Sequence, residues 1–257
     1  MLTYRNTNIF FVVILLLLAV SDYFYDIHWS VYLLVALLYS VILFYGCSYI
    51  SSNFFLPVIC AADTTEKEIA ISFDDGPVEH YTPQILQVLK DYDVKAAFFC
   101  IGNRIKPTAQ IFKNLHAEGH IIGNHSYSHH FFFDLFSSGT MLSELELTNR
   151  ITKEETGLQP KLFRPPYGVI NPNLKKAIEK GKYITVGWSV RSMDTKIRDE
   201  EKLLKKINSM LKPGAVFLFH DTSATTLAIL PSFIQQAKES GYKIVRLDKL
   251  LNVQAYA

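Results

Sequence analysis

Cysteine is scarce and unpatterned: Cys47, Cys60 and Cys100 are the three in 257 residues, an odd number with no CxxC spacing. A disulfide framework and a zinc-thiolate cluster are both excluded as the basis of the fold. An excess of either charge is missing too, since 26 Lys and Arg against 24 Asp and Glu leave a net +2. A chain so near balance lacks the electrostatic footprint of a nucleic-acid binder, and no nucleic acid is expected as a partner. No internal period of about 20 to 50 residues recurs and no segment is of low complexity, which removes solenoids and repeat arrays. The most telling absence is local: between Trp29 and Ala62 there is no Asp, Glu, Lys or Arg.

Within that uncharged stretch, residues 31–45, flanked by Trp29 and Tyr49, are long enough to cross a bilayer as a helix. An earlier run, residues 9–20, is shorter. Arg5 precedes it and the small residues Ala19, Val20 and Ser21 close it, so it reads as a first span or as the apolar part of a signal peptide. The short linker to the second run favours a helical hairpin, with spans near 8–25 and 29–50. Residues 1–62 are therefore expected to form a membrane anchor, with the lipid bilayer as a partner. Arg5 and the free amine favour an inside N-terminus, which would return the rest of the chain to the cytoplasm. One cationic side chain leaves the side open, and Asp22 and Asp26 in the short loop carry little weight.

Residues 63–257 have the composition of an ordinary soluble domain. Strand-like runs at 69–73, 96–101, 120–122, 183–188, 216–219 and 243–247 alternate with helical patterns at 83–91, 107–118, 141–155, 173–180, 200–210 and 227–240. Pro83 and Pro107 fall at first helical positions, and Gly119, Gly157, Gly181 and Gly241 fall at helix stops. Six repeats of strand and helix predict an α/β fold with a parallel sheet, open or closed into a barrel. Such folds collect function at strand ends. Asp74 and Asp75 follow the first run, His125 the third, and His220 with Asp221 the run at 216–219.

The residue types found there have chemistry in common. Adjacent carboxylates, Asp74 and Asp75, point in different directions, so one can bind a metal while the other addresses a reacting water; Asp-Asp-Gly-Pro is also plain turn chemistry. His125 and His129 have a spacing that, on a helical turn, sets both imidazoles on one face. With Asp75 they make a three-ligand set with open positions, the form of a catalytic metal site. The prolines of Arg164-Pro165-Pro166-Tyr167 suit a rigid loop, in the first instance one with Arg164 in a surface ion pair, or one that holds an N–H as an oxyanion donor. His220 is placed to protonate a leaving amine near neutral pH. Phe131-Phe132-Phe133 fits a groove, a membrane contact or buried packing.

In order and approximate spacing these segments resemble the polysaccharide deacetylase family, the NodB-homology domains of carbohydrate esterase family 4, over residues 68–251. The resemblance implies a distorted (β/α) barrel with one divalent ion of the zinc type, and hydrolytic removal of N-acetyl groups from amino sugars of a glycan, releasing acetate. It implies Asp74 as general base, Asp75, His125 and His129 as metal ligands, and Arg164 as the residue orienting the base. The Tyr167 N–H would face the oxyanion, and Asp194 would orient His220, the acid. Pro166, Tyr167 and Leu218 are the implied substrate contacts, with Leu218 beside the acetyl methyl. The fourth motif departs from the pattern: Thr195 stands where an aromatic is expected, and Arg191 where many relatives carry an acid. The expected partners are an N-acetylated glycan and a bacterial cell membrane. A lipid-linked amino sugar as substrate, and a silent glycan-binding member, are the alternatives; the complete set of ligands, base and acid argues against the second.

Overall fold

The computed structural model describes residues 2–257. Two long helices come first. In α1 (Tyr4–Tyr25) the Thr3 side chain accepts the Asn6 N–H, and the helix stops at Asp26 in a left-handed conformation. In α2 (Trp29–Ser48) the His28 side chain accepts the Ser30 N–H. Both are long and apolar enough to cross a membrane, and nearly all their side chains face outward. Phe11 packs on Tyr39, and the Tyr39 hydroxyl donates to Asn8 Oδ1 at 2.9 Å, satisfying polar groups that lipid would leave unpaired. The helices thus form an antiparallel hairpin, and Tyr4 returns to the end at which α2 finishes, its N–H donating to Phe54 O. The shorter first run, read as twelve apolar residues, extends in both directions because Tyr, Asn, Thr and Ser are tolerated at its ends.

The chain after α2 is pressed onto the domain that follows. Ile50, Phe54, Phe55, Leu56 and Val58 are buried in one cluster with Phe133, Phe163, Ile170 and Leu174, against which Ile42, Leu43 and Cys47 of α2 also pack. Ile59 bridges to Val186 and Ala61 to Ala215. The Ile170 N–H donates to Cys47 O at 3.0 Å, joining the end of α2 directly to the domain.

The domain runs β1 (Glu68–Asp74), α3 (Thr82–Asp91), β2 (Ala97–Cys100), α4 (Gly102–Ile105), α5 (Ala109–Ala117), β3 (Ile121–Asn124), α6 (Ser138–Thr156) and β4 (Leu162–Phe163). It continues with α7 (Pro172–Gly181), β5 (Ile184–Thr185), β6 (Val190–Arg191), α8 (Glu200–Asn208), β7 (Val216–His220), α9 (Ala224–Glu239), β8 (Lys243–Ile244) and α10 (Leu247–Leu251). The sheet order is β5-β4-β3-β2-β1-β7-β6, with β8 also on β1, and every ladder is parallel. No ladder joins β5 to β6 among the described residues, so the sheet is a curled, incompletely closed barrel, the distorted (β/α) form expected. Ile69, Ile71 and Phe73 of β1 join Ile85, Leu89, Phe217 and Phe233 in the layer between sheet and helices. Ala70 of the same strand lies in a separate cluster with Ala97, Phe99 and Val216. The strand period of two separates these faces and carries Ser72 and Asp74 inward with Ala70.

Several local expectations are corrected. β4 and β6 are extra strands of two residues each, too short to show alternation in sequence. Pro107 lies within a 3-10 turn, Lys106–Thr108, with α4 before it and α5 after it, in place of the one helix expected over 107–118. Gly119, Gly157 and Gly241 take positive φ as helix stops, but Gly181 is the last residue of α7 and Lys182 takes the left-handed position. The glycine is needed for space, since a Cβ there would run into the Tyr183 ring.

Candidate active site

β1 delivers Asp74 at its last position, buried, while Asp75 turns away with φ 77°. The two carboxylates therefore diverge, as adjacency requires. At Gly76 any Cβ would collide with the Asp221 carboxylate, so the turn has room only for glycine.

His125 and His129 are not on a helix. Asn124 ends β3, and the next residues form a tight turn with Ser126 at φ 63° and His129 at φ 46°. Conformations that side chains resist are held here by a set of acceptors. Asn124 Oδ1 accepts the Ser126 N–H at 2.9 Å, and Glu144 Oε2 accepts the Tyr127 N–H, the Ser128 N–H and the Ser128 hydroxyl at 3.1, 2.7 and 2.9 Å. Glu144 and Asn124 are the residues that sequence reasoning missed. The available signal was Glu144 on the inward side of a helix with a buried polar stripe, Thr148, Asn149 and Thr152.

The turn nevertheless brings both imidazoles to Asp75. His125 Nε2 lies 3.5 Å and His129 Nε2 3.4 Å from Asp75 Oδ1, and the three ligand atoms all fall within 4.8 Å of one another. Donors about 2.0–2.1 Å from a tetrahedral ion sit about 3.3 Å apart, so the set fits one divalent cation. His125 Nδ1 donates to Arg164 O at 2.8 Å; a carbonyl can only accept, so the lone pair of the neutral ring is at Nε2, facing Asp75. Burial would raise the Asp75 pKa, but the hydrogen bond and charge of His125, with His220 and His129, hold it well below the usual carboxylate range. Burial, aided by His125, pushes His129 down to about 4 despite Asp75. Burial also opposes a charge on His125, yet Asp74 and Asp75 raise it.

Arg164 is fully buried, its guanidinium 4.0 Å from the centroid of the Phe99 ring. It donates to Val186 O and Gly187 O at 3.2 and 2.8 Å, to Ser72 Oγ at 2.8 Å, and to Asp74 Oδ1 at 2.7 Å. One oxygen of Asp74 is thus occupied, and the other lies 3.9 Å from His125 Nε2. Across the cleft, His220 Nδ1 donates to Asp194 Oδ1 at 2.7 Å, and the His220 backbone N–H and the Thr226 hydroxyl donate to Asp194 Oδ2. Burial disfavours the imidazolium, but the hydrogen bond and charge of Asp194, with Asp74 and Asp75, raise the His220 pKa to about 9. The neighbouring Asp221 is also shifted upward: burial, with Asp75 and Asp74 nearby, raises it to about 7 despite the hydrogen bond from the Thr82 hydroxyl.

Tyr167 sits in a 3-10 turn at φ 59°, its ring 4.7 Å from that of His129. Proline has no N–H, so the Tyr167 amide is the first donor after Arg164. A cleft of about 260 Å³ joins these groups; Tyr167, Trp188, Arg191, Thr195, Lys196 and Leu218 line its wall. Pro165 also lines it, whereas Pro166, expected as a substrate contact, is buried and outside the lining.

Residues 61–186 match the family model described as polysaccharide deacetylase. The peptidoglycan-N-acetylmuramic acid deacetylase PdaA of Bacillus subtilis is 36% identical over 193 residues, covering 74% of this chain and 73% of that protein. The chain belongs to the polysaccharide deacetylase family. Another polysaccharide deacetylase, the peptidoglycan-N-acetylglucosamine deacetylase PgdA of Listeria monocytogenes, is 35% identical over 208 residues. That match takes 79% of this chain but spans only 42% of the Listeria protein. Among solved structures, the Bc1960 peptidoglycan N-acetylglucosamine deacetylase, in complex with an N-oxidanyl-benzamide, superposes with a TM-score of 0.73 at 30% identity, over 78% of this chain and 95% of that one.

Proposed function

We propose that this polysaccharide deacetylase is a metal-dependent hydrolase that removes the N-acetyl group of an amino sugar, with its two apolar helices anchoring it in a bacterial membrane. The observation that carries the reading is the convergence on one cleft of the Asp75-His125-His129 triad, the Asp74-Arg164 pair and the Asp194-His220 pair. Asp75, His125 and His129 would hold a divalent ion of the zinc type, which when bound would supply Lewis-acid polarisation and lower the pKa of a water.

The side chains divide the proton work. Asp74, fixed through one oxygen by Arg164, accepts the proton of the attacking water with the other. The Tyr167 N–H stabilises the oxyanion. His220, held by Asp194, gives its proton to the nitrogen as the carbon–nitrogen bond breaks. The water oxygen leaves in acetate, and the sugar keeps a free amine. Leu218 lines the wall that receives the acetyl methyl, with Pro165 beside it; the expected contact at Pro166 falls to its neighbour because Pro166 is buried. Aspartate-for-asparagine exchange separates these roles. Asp74→Asn is expected to retain about one ion per chain and to lose about 10²-fold or more in acetate release, whereas His125→Ala loses both. Full turnover by Asp74→Asn would remove it as the base; an unchanged ion content in His125→Ala would remove the triad as the metal site.

A further inference from the structure

Ordinarily an anchored enzyme reaches its substrate through a flexible linker, and here that linker is absent. α2 ends at Ser48, Ile50 is already buried in the domain, and Cys47 O accepts the N–H of Ile170, three residues beyond Tyr167. A Cβ on Gly168 would sit 3.7 Å from Ile50 Cδ1, so the anchor packs directly behind the oxyanion turn. Ile42 and Leu43 belong to the same packed cluster as Phe133 and Ile170. They precede the end of α2 by five to six residues, about 8 Å of helix. The domain therefore overlaps the last turns of the span.

The loop beside that overlap carries an apolar surface open to solvent. Phe131 and Leu135 are each 72% exposed and Phe132 52%, while Phe133 between them is buried. The loop is fixed from below, Asn171 and Asn173 donating to Asp134 O and Phe136 O. Its rings form a continuous strip into the cleft: Phe132 to Phe131 at 4.9 Å, Phe131 to Tyr167 at 6.2 Å, Tyr167 to His129 at 4.7 Å. Exposed aromatics beside the end of a span match the interfacial belt, and Tyr45 of α2 with its C-cap Tyr49, stacked at 5.5 Å, lie at that end. The cleft wall also carries Arg191, over the Trp188 ring at 5.7 Å, and Lys196; neither is in an ion pair among the described residues.

We propose that Phe131, Phe132 and Leu135 enter the bilayer interface and hold the mouth of the cleft against it, so that the substrate is an N-acetylated amino sugar carried on a membrane lipid through a phosphate or diphosphate. The lipid end follows the aromatic strip, the anionic link meets Arg191 and Lys196, and the acetamide reaches the metal triad. This rests on the deacetylase reading above and on α1 and α2 spanning the membrane.

The test uses the full metal-loaded chain in lipid nanodiscs with three probes: polyprenyl diphosphate-linked N-acetylglucosamine in the disc, UDP-N-acetylglucosamine, and a soluble N-acetylglucosamine tetrasaccharide. Acetate release from the lipid-borne sugar is expected to exceed that from either soluble probe by about tenfold or more, through co-confinement in the bilayer. The Phe131→Ser, Phe132→Ser double variant is expected to remove that preference, read as the ratio of lipid-borne to soluble turnover; an unchanged ratio overturns the role of the strip. Equal rates on UDP-linked and lipid-borne sugar, or a preference for the tetrasaccharide, overturn the lipid assignment. No acetate from any probe would instead overturn the deacetylase reading. The surface itself is read without turnover. In a Trp29→Phe background, the indole introduced by Phe132→Trp is expected to be quenched by interfacially brominated lipid while Trp188 is not; an introduced indole that escapes quenching places the loop in water and overturns the insertion.

Discussion

Two histidines in one cleft are driven in opposite directions by their neighbours. His129 meets burial and a second imidazole and is pushed down to about 4; His220 meets Asp194 and is raised to about 9. The first is therefore neutral and free to ligate, and the second carries the proton an acid needs. The sign for His220 follows: its protonated form is present below about 9 and lost above it, so kcat is expected to fall as pH rises through about 9. In Asp194→Asn the supporting charge is gone and burial still opposes the imidazolium, so the alkaline limb moves down to about pH 6–7. A pH-rate profile of both forms checks this, and an unmoved limb would take the proton donation away from His220. That His129, Asp194 and His220 belong to one cleft was legible from the order of the motifs and the family resemblance they carry. The partners that set them were less so: Thr226 binds Asp194 from 32 positions away, a contact that no local pattern announces.

At the scale of elements, the strands that carry the site were legible where they run for four residues or more, as at β1, β2, β3 and β7. Strands of two residues leave no period to read: β5 and β8 were legible only because longer apolar runs, 183–188 and 243–247, contain them, and β4 and β6, although they flank Arg164 and Asp194, were not foreseen. The metal turn was read as helical because i, i+4 spacing suits a helix; the actual turn meets the same distance with two left-handed residues. That conformation rests on Glu144, whose one oxygen accepts three donors. Glu144→Ala leaves these donors unpaired in a half-buried turn, a loss of about 1–3 kcal/mol per unsatisfied group. Weaker metal affinity, measured by titration with a chelator, is the expected outcome, with acetate release restored at high metal. Unchanged affinity would show that the turn holds without it.

For the whole molecule, a boundary at residue 62 follows the composition, because charge returns at Asp63. Packing follows a different line: Phe54, Phe55, Leu56 and Val58 are each 3 to 6% exposed and complete a core cluster of the domain. Fully burying such side chains is worth about 1.5–3 kcal/mol each. A chain starting at Asp63 is expected to aggregate or melt well below one starting at Ile50, because only the second keeps this cover. Thermal unfolding of the two fragments compares them directly, and equal midpoints would make the segment dispensable. An uncharged stretch gives composition no way to tell where lipid stops and protein core begins, since both reward the same side chains.

The hydrogen bond from Ile170 to Cys47 ties the turn that holds Tyr167 to α2, and a helix that spans the membrane as proposed has a tilt that answers to bilayer thickness. Lengthening or shortening the acyl chains around the anchor should therefore tune turnover even on a soluble substrate, with an optimum where the hairpin fits the bilayer unstrained. Such a dependence would make membrane thickness an effector of catalysis, readable as acetate release across a series of lipid chain lengths.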